Sequence, residues 1–200
     1  MSTKKILEIG GVLAGVVLIA FGVAAIYMGV DGRSTVRDSI KQEQIFFGES
    51  DDPAVAKFAS QWAGEQVLTG TQGRAFAEVI HEHALEGSGG LPYSQMGRFV
   101  SADDPENPAG TSDEAAALKD ETGAPVSNTA RNTWITATAL STALNVSYMA
   151  EQMALFGIVV GIALLLSGIG FIVLALGTLH RRELAPSVKR QTLRETAAAA

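Results

Sequence analysis

The sequence predicts an all-α membrane protein: two antiparallel transmembrane helices extended into a small extracytoplasmic helical domain. Three observations carry that reading. Residues 9–30 form an apolar run of 22, and residues 155–179 a second run of 25 uncharged, almost wholly apolar residues. As helices these runs reach roughly 33 and 37 Å, enough to cross a hydrocarbon layer of about 30 Å. Between Pro125 and Gly157 there is neither proline nor glycine, so the second span is predicted to continue outward as one helical rod covering 127–179. Finally, the charges segregate: residues 31–151 hold 18 Asp and Glu against 8 Lys and Arg, whereas the two ends hold 3 acids against 7 bases.

That segregation sets the expected topology. Lys and Arg are retained on the cytoplasmic side of a membrane; Lys4 and Lys5 precede the first span, and Arg181, Arg182, Lys189, Arg190 and Arg194 follow the second. Both termini are therefore expected in the cytoplasm, with the acidic middle outside and the protein in the plasma membrane. A middle segment of net charge −10 repels nucleic acid and anionic surfaces. The chain has no cysteine, which excludes disulfides, a thiol nucleophile and thiolate metal ligands. The exported domain must hold together by packing alone.

Taken in order, residues 1–8 form a cytoplasmic N-terminus, with Glu8 an interfacial charge near the positive end of the helix dipole. Residues 9–30 form the first span and not a cleaved signal peptide, because the apolar run is longer than about 15 residues and the small pair Ala24–Ala25 leads into bulky Ile26, Tyr27 and Met28. The domain then occupies 31–153. A helix is predicted over 33–47, with Val36, Ile40 and Phe47 on one side, a kink at Asp31–Gly32 and a stop at Gly48. Asp52 before Pro53 is a start signal, an N-cap residue ahead of a first-turn proline. The helix it opens is predicted to run to about 68, burying Val55, Phe58, Ala59 and Trp62. A third, over 74–86, gathers Phe76, Val79, Ile80 and His83.

Residues 87–112 are rich in Gly, Pro, Ser and Asp and read as a long surface loop. Thr111 and Glu114, three apart, predict a capping box for a short helix through Lys119. The outer half of the rod, 132–150, lacks charge, but eight of its 19 residues are Asn, Thr or Ser. It is too polar to face lipid, so Trp134, Leu140, Leu144 and Tyr148 are expected to form the domain core under Val36, Ile40, Phe58, Trp62 and Ile80. Residues 154–179 form the second span, and 180–200 a basic cytoplasmic tail ending in a frayed alanine run at 197–200.

Small residues mark one face of each span. Gly11, Gly15, Gly22 and Gly29 are spaced 4, 7 and 7, and Gly157, Gly161, Gly168 and Ala175 repeat those intervals. Helices in lipid associate by close backbone approach, which such faces permit; the competing explanation is that glycine is simply frequent in membrane helices.

Chemical motifs are sparse. His81 and His83, two apart on a helix, point about 200° away from each other and cannot share an ion as i and i+4 residues do. Asp103, Asp104, Glu106 and Asn107 match no calcium-loop spacing. Asn145-Val146-Ser147 is a glycosylation sequon placed inside a helix near the membrane. No phosphate-binding glycine loop or nucleophile elbow occurs. The chain is accordingly expected to carry no catalytic residue, cofactor or metal, and not to be an enzyme.

The stretches Arg33-Ser-Thr-Val-Arg-Asp-Ser-Ile40, Ala115-Ala-Ala-Leu-Lys-Asp120, Asn128-Thr-Ala-Arg131, Thr138-Ala-Leu-Ser-Thr-Ala-Leu-Asn145 and Ala154-Leu-Phe-Gly-Ile-Val-Val-Gly161 resemble uncharacterised actinobacterial membrane proteins with two transmembrane helices and an extracytoplasmic helical domain. The resemblance covers the first 45 and last 90 residues or so, implies a plasma-membrane setting and the same helix hairpin, and transfers no functional residue. The function expected is that of a structural or accessory protein, with the lipid bilayer, other copies of itself or a larger membrane complex as partners and no nucleic acid. The alternative is an extracytoplasmic ligand-binding or sensing module with 87–112 as a lid.

Overall fold

The computed structural model describes residues 3–198, with side chains placed over 5–177. The side chains of the tail 180–200, and Ala199 and Ala200 altogether, lie outside the described residues. The fold is all-α: α1 (Thr3–Gln42), α2 (Pro53–Phe58), α3 (Gly70–Gly87) and α4 (Thr129–Ala198), with single 3-10 turns at Ser60–Trp62 and Tyr93–Gln95. The chain divides into two compact units, Met1–Asp31 with Met153–Ala200, and Gly32–Gln152.

In the first unit the two apolar runs are helical throughout. Helices long and apolar enough to cross a membrane cover Lys5–Gln42 and Thr129–Gly177, and only 11% of the most apolar window of each is buried. Leu13, Phe21, Met28, Phe156, Leu166 and Leu174 are all more than 60% exposed. A helix in a soluble core hides such residues, so this apolar surface is suited to lipid.

The second unit is built around Ile40, Phe47, Val55, Val67 and Val79, with Phe58, Trp62 and Phe76 packed against them. Phe47 stacks on Trp62 at 5.9 Å between centroids and meets Phe76 edge-on at 5.4 Å. α1 stops at Gln42, short of the predicted 47, and no break in it occurs at Asp31–Gly32. Gln44 turns the chain with φ 50°, and residues 45–47 then pair with 65–67: Phe47 N–H donates to the Glu65 carbonyl and Val67 N–H to the Ile45 carbonyl, both at 2.9 Å. That pairing also explains why the second helix ends at Phe58 and not near 68. Residues 65–67 are needed as the extended partner, and Gly64, at φ 73°, makes the turn into them.

The N-caps of α2 and α3 are side-chain oxygens. Asp52 accepts from the Ala54 and Val55 N–H groups ahead of α2. Thr69 accepts from Gln72 N–H at the start of α3, while Gln72 Oε1 accepts from the Leu68 N–H and the Thr69 hydroxyl. This reciprocal cap begins α3 four residues before the predicted 74. Gly70 and Gly73 sit inside the helix because α4 is close: a Cβ on Gly70 would stand 2.8 Å from the Tyr148 Cα.

The capping box predicted at Thr111 and Glu114 does not form, and 111–119 is not helical. The Thr111 hydroxyl oxygen instead accepts from the Asp113 N–H. Nor is 87–112 an irregular loop. Residues 97–128 fold into a lobe held by isolated antiparallel bridges, Phe99 to Thr111 and Ser127, Ser101 to Ala117, and Lys119 to Pro125. Buried Asn128 closes it, its amide nitrogen donating to the Gly97 and Pro108 carbonyls at 3.1 and 2.9 Å.

The outer half of α4 is covered on one stripe only. Ala137, Leu144 and Glu151 are buried, and Trp134 and Tyr148 half-buried. Leu140, expected in the core, is 52% exposed, as are Ile135, Val146 and Met149 to similar degrees. The core instead lies between α2, α3 and the 45–47 and 65–67 segments, because those supply the aromatic side chains that close it.

Candidate functional site

The small-residue faces meet inside the first unit. A Cβ built on Gly15 would lie 2.6 Å from the Gly168 carbonyl oxygen, and one on Gly168 2.6 Å from that of Gly15. Gly22 and Gly161 face each other in the same way at 2.7 Å, and Gly29 meets the Ala154 carbonyl at 2.6 Å. Gly11 stands opposite Ala175 at 3.0 Å, and Gly157 has the loosest contact, 3.8 Å from the Ala25 carbonyl. Gly10, Gly170 and Gly177, on other faces, meet nothing within 4 Å. Six of the eight face residues thus meet as three facing pairs, Gly11 with Ala175, Gly15 with Gly168 and Gly22 with Gly161, while Gly29 and Gly157 pack on Ala154 and Ala25 instead of on each other. Composition alone would not sort them by face.

The second unit holds a buried carboxylate that the sequence reading passed over. Glu151 is 4% exposed. Its Oε1 accepts from Arg33 Nε at 2.9 Å and Arg37 Nε at 2.8 Å, and its Oε2 from the Gly70 N–H at 2.6 Å. Burial pushes this carboxyl up, but the two guanidinium hydrogen bonds and the Gly70 amide outweigh it and hold the group below the usual glutamate range. Arg33 and Arg37 share a face of α1 at i and i+4. Each spends one N–H on Glu151, and their side chains remain 40% and 41% exposed.

From this anchor α3 runs along α4. Gly73 packs on Leu144, the Ser141 hydroxyl donates to the Ala77 carbonyl at 3.2 Å, Arg74 lies over the Tyr148 ring, and His81 meets Trp134 edge-on at 5.2 Å. An open groove of about 480 Å³ is lined by Ile80, His83, Ala84, Thr133, Ala137 and Leu140 among others. No residue of 87–112 lines it, so that segment is not its lid.

The remaining sequence candidates are dispersed. His83 is not a core residue: its side chain is 47% exposed and pairs with Asp52 at 3.0 Å. That hydrogen bond, opposed by a little burial and aided by the Ala54 and Val55 amides, holds the Asp52 carboxyl below its ordinary value. His81 is exposed on Trp134. Asp103, Asp104, Glu106 and Asn107 form an exposed tip of the bridged lobe, and among the described residues no acidic and histidine side chains group as metal ligands. Arg131, which the sequence did not flag, bonds the Tyr93 hydroxyl and lies 4.3 Å from that ring, with its Nε buried and without a partner.

These arrangements pack helices and hold charge. No family model, curated protein or solved structure matches the chain.

Proposed function

We propose that this is a non-catalytic, two-span membrane protein whose helices 9–30 and 154–179 cross as an antiparallel pair with both termini in the cytoplasm, and which acts as a structural or accessory component through contacts of its extracytoplasmic unit. The observation that carries the reading is the backbone-to-backbone interlock of Gly15 with Gly168 and Gly22 with Gly161. Contacts ascend along α1 as they descend along α4, as an antiparallel pair requires, and carbonyl-to-glycine approach this close is how helices associate without a hydrophobic drive between them. The charge distribution supports the orientation. The exposed apolar side chains Ile135, Val146 and Met149, outside the spans, support a role in contact with protein.

Reporter fusions test the topology. A phosphatase fused at the C-terminus is expected to be inactive, and one inserted at the exposed tip near Glu106 active; the opposite pattern reverses the orientation. Copurification from native membranes then tests the accessory role, with a stoichiometric partner or a homo-oligomer as the expected result and a monomer alone as the refuting one. The groove between α3 and α4 favours a second reading, an extracytoplasmic ligand-binding or sensing module, for which a monomer that retains a small apolar molecule through purification would be the sign.

A further inference from the structure

The arrangement of Arg33, Arg37 and Glu151 is incompletely used by the fold itself. Two guanidinium groups converge on a single carboxylate oxygen through their Nε atoms, at 2.9 and 2.8 Å, instead of one arginine gripping both oxygens as a fork. The second oxygen is taken by the Gly70 N–H. Among the described residues no other carboxylate pairs with either arginine, and the hydrogen bonds of both run through Nε alone. The cluster carries a net charge of about +1 at neutral pH, since Glu151 is ionised against two arginines that are always charged. Each Nε contact ties its guanidinium to the same carboxylate oxygen, so the two groups are held next to each other on one face of α1. Planar N–H donors held in that way suit a tetrahedral oxyanion, which accepts from both at once.

We propose that the Nη edges of Arg33 and Arg37, held in register by Glu151, bind a phosphate group, and that its source is the head group of a membrane phospholipid. The source follows from position and rests on the two-span reading above. Arg33 comes three residues after Val30, the last residue of the first apolar run, and Glu151 three residues before Ala154, where the second span begins. Three helical residues rise about 4.5 Å. The head-group layer on each side of the hydrocarbon is about 5–7 Å deep; Arg37 starts one helical turn further out, but its Nε meets the same Glu151 oxygen as that of Arg33, so both guanidinium groups are brought to the depth of the phosphates. The net −10 of residues 31–151 repels an anionic surface as a whole. Recognition is therefore a short-range contact to one phosphodiester, and zwitterionic phospholipid should serve as well as anionic.

The test uses the full chain in a non-ionic detergent, with native mass spectrometry as the readout. Phosphatidylethanolamine and phosphatidylglycerol are compared with diacylglycerol of the same acyl chains, and with inorganic phosphate alone. Wild type is expected to retain both phospholipids at least tenfold more than diacylglycerol, and Arg33→Gln with Arg37→Gln to abolish that difference. Because glutamines leave Glu151 buried without a cation, the pair Arg33→Lys and Arg37→Lys is measured beside it; this keeps the charge, removes the forks, and should lose most of the preference while the thermal unfolding of the domain is little changed. Equal retention of diacylglycerol, or undiminished phospholipid retention in the lysine variant, overturns the site. Arginine-dependent binding of inorganic phosphate without phospholipid binding overturns the lipid source. The two-span reading fails separately: the chain would then stay monodisperse in buffer without detergent.

Discussion

Replacing glycine by alanine should have opposite signs on different faces of the same two helices. At Gly15 the new methyl would meet the Gly168 carbonyl and the Ile172 side chain, both at 2.6 Å, and at Gly168 it would meet the Gly15 carbonyl at 2.6 Å. Ordinary contact begins at 3.4 Å, so the backbones must part by about 0.8 Å. Overpacking of this kind costs about 1–3 kcal/mol, offset by the roughly 0.5–1 kcal/mol that alanine gains over glycine inside a helix. Each substitution should then destabilise the pair by up to about 2.5 kcal/mol. At Gly10 and Gly170 the methyl meets nothing within 4 Å, leaving only the helical gain. Unfolding of the full chain by sodium dodecyl sulfate in mixed micelles measures the difference, and disulfide formation between cysteines introduced at Ala25 and Gly157 reports whether the helices still pair. If Gly10→Ala and Gly170→Ala lose as much stability as Gly15→Ala and Gly168→Ala, the glycines are membrane-helix composition and the interlock does not hold the spans.

Phe47→Ala removes a ring 3% exposed between Trp62 and Phe76 and should cost about 3–5 kcal/mol in chemical denaturation of the second unit; half-buried Trp134→Ala should cost less, and exposed Leu140→Ala should change stability by no more than about 0.5 kcal/mol. Thr69→Ala should cost about 1 kcal/mol through the cap of α3, whereas Thr111→Ala, which caps no helix, should leave helicity measured by circular dichroism unchanged. Asp52 and Glu151 are both held below their ordinary values in the folded state, so their contributions are complete at neutral pH and disappear only as acid titrates them through those lowered values; Glu151→Gln should flatten the acid limb of a stability profile, and an unaltered limb would show the carboxylate to be unlinked to folding.

The two long apolar helices were legible because length and apolarity decide them almost alone, and the start of α2 because Asp52 and Pro53 each act on the first turn next to them. Phe47 was legible as an inward residue but not as part of its element. Helical spacing from Val36 and Ile40 reaches 47, yet alternation through Ile45 reaches it too, and only the partner at 65–67 decides between them. Thr69 with Gln72 carried the same capping signal as Thr111 with Glu114; the first forms because α3 has a face to bury beneath it, and the second fails because 111–119 is recruited into backbone bridges. Glu151 was illegible as a site, since its arginines are 118 and 114 residues away. Its one sequence signal was a lone carboxylate within a long uncharged stretch of α4, together with two arginines on one face of α1.

Asn128 ties two events together. Its amide nitrogen closes the lobe on Gly97 and Pro108, while its carbonyl takes the Asn132 N–H and its side-chain oxygen the Arg131 N–H at 3.4 Å. The first turn of α4 therefore cannot fray without releasing the lobe, and the lobe cannot open without exposing that turn. Amide hydrogens on both sides of Asn128, such as those of Phe99 and Asn132, should exchange with solvent at a common rate, as members of one cooperative opening unit. A helix end, ordinarily the place where exchange is fastest, should here exchange as slowly as the lobe that locks it.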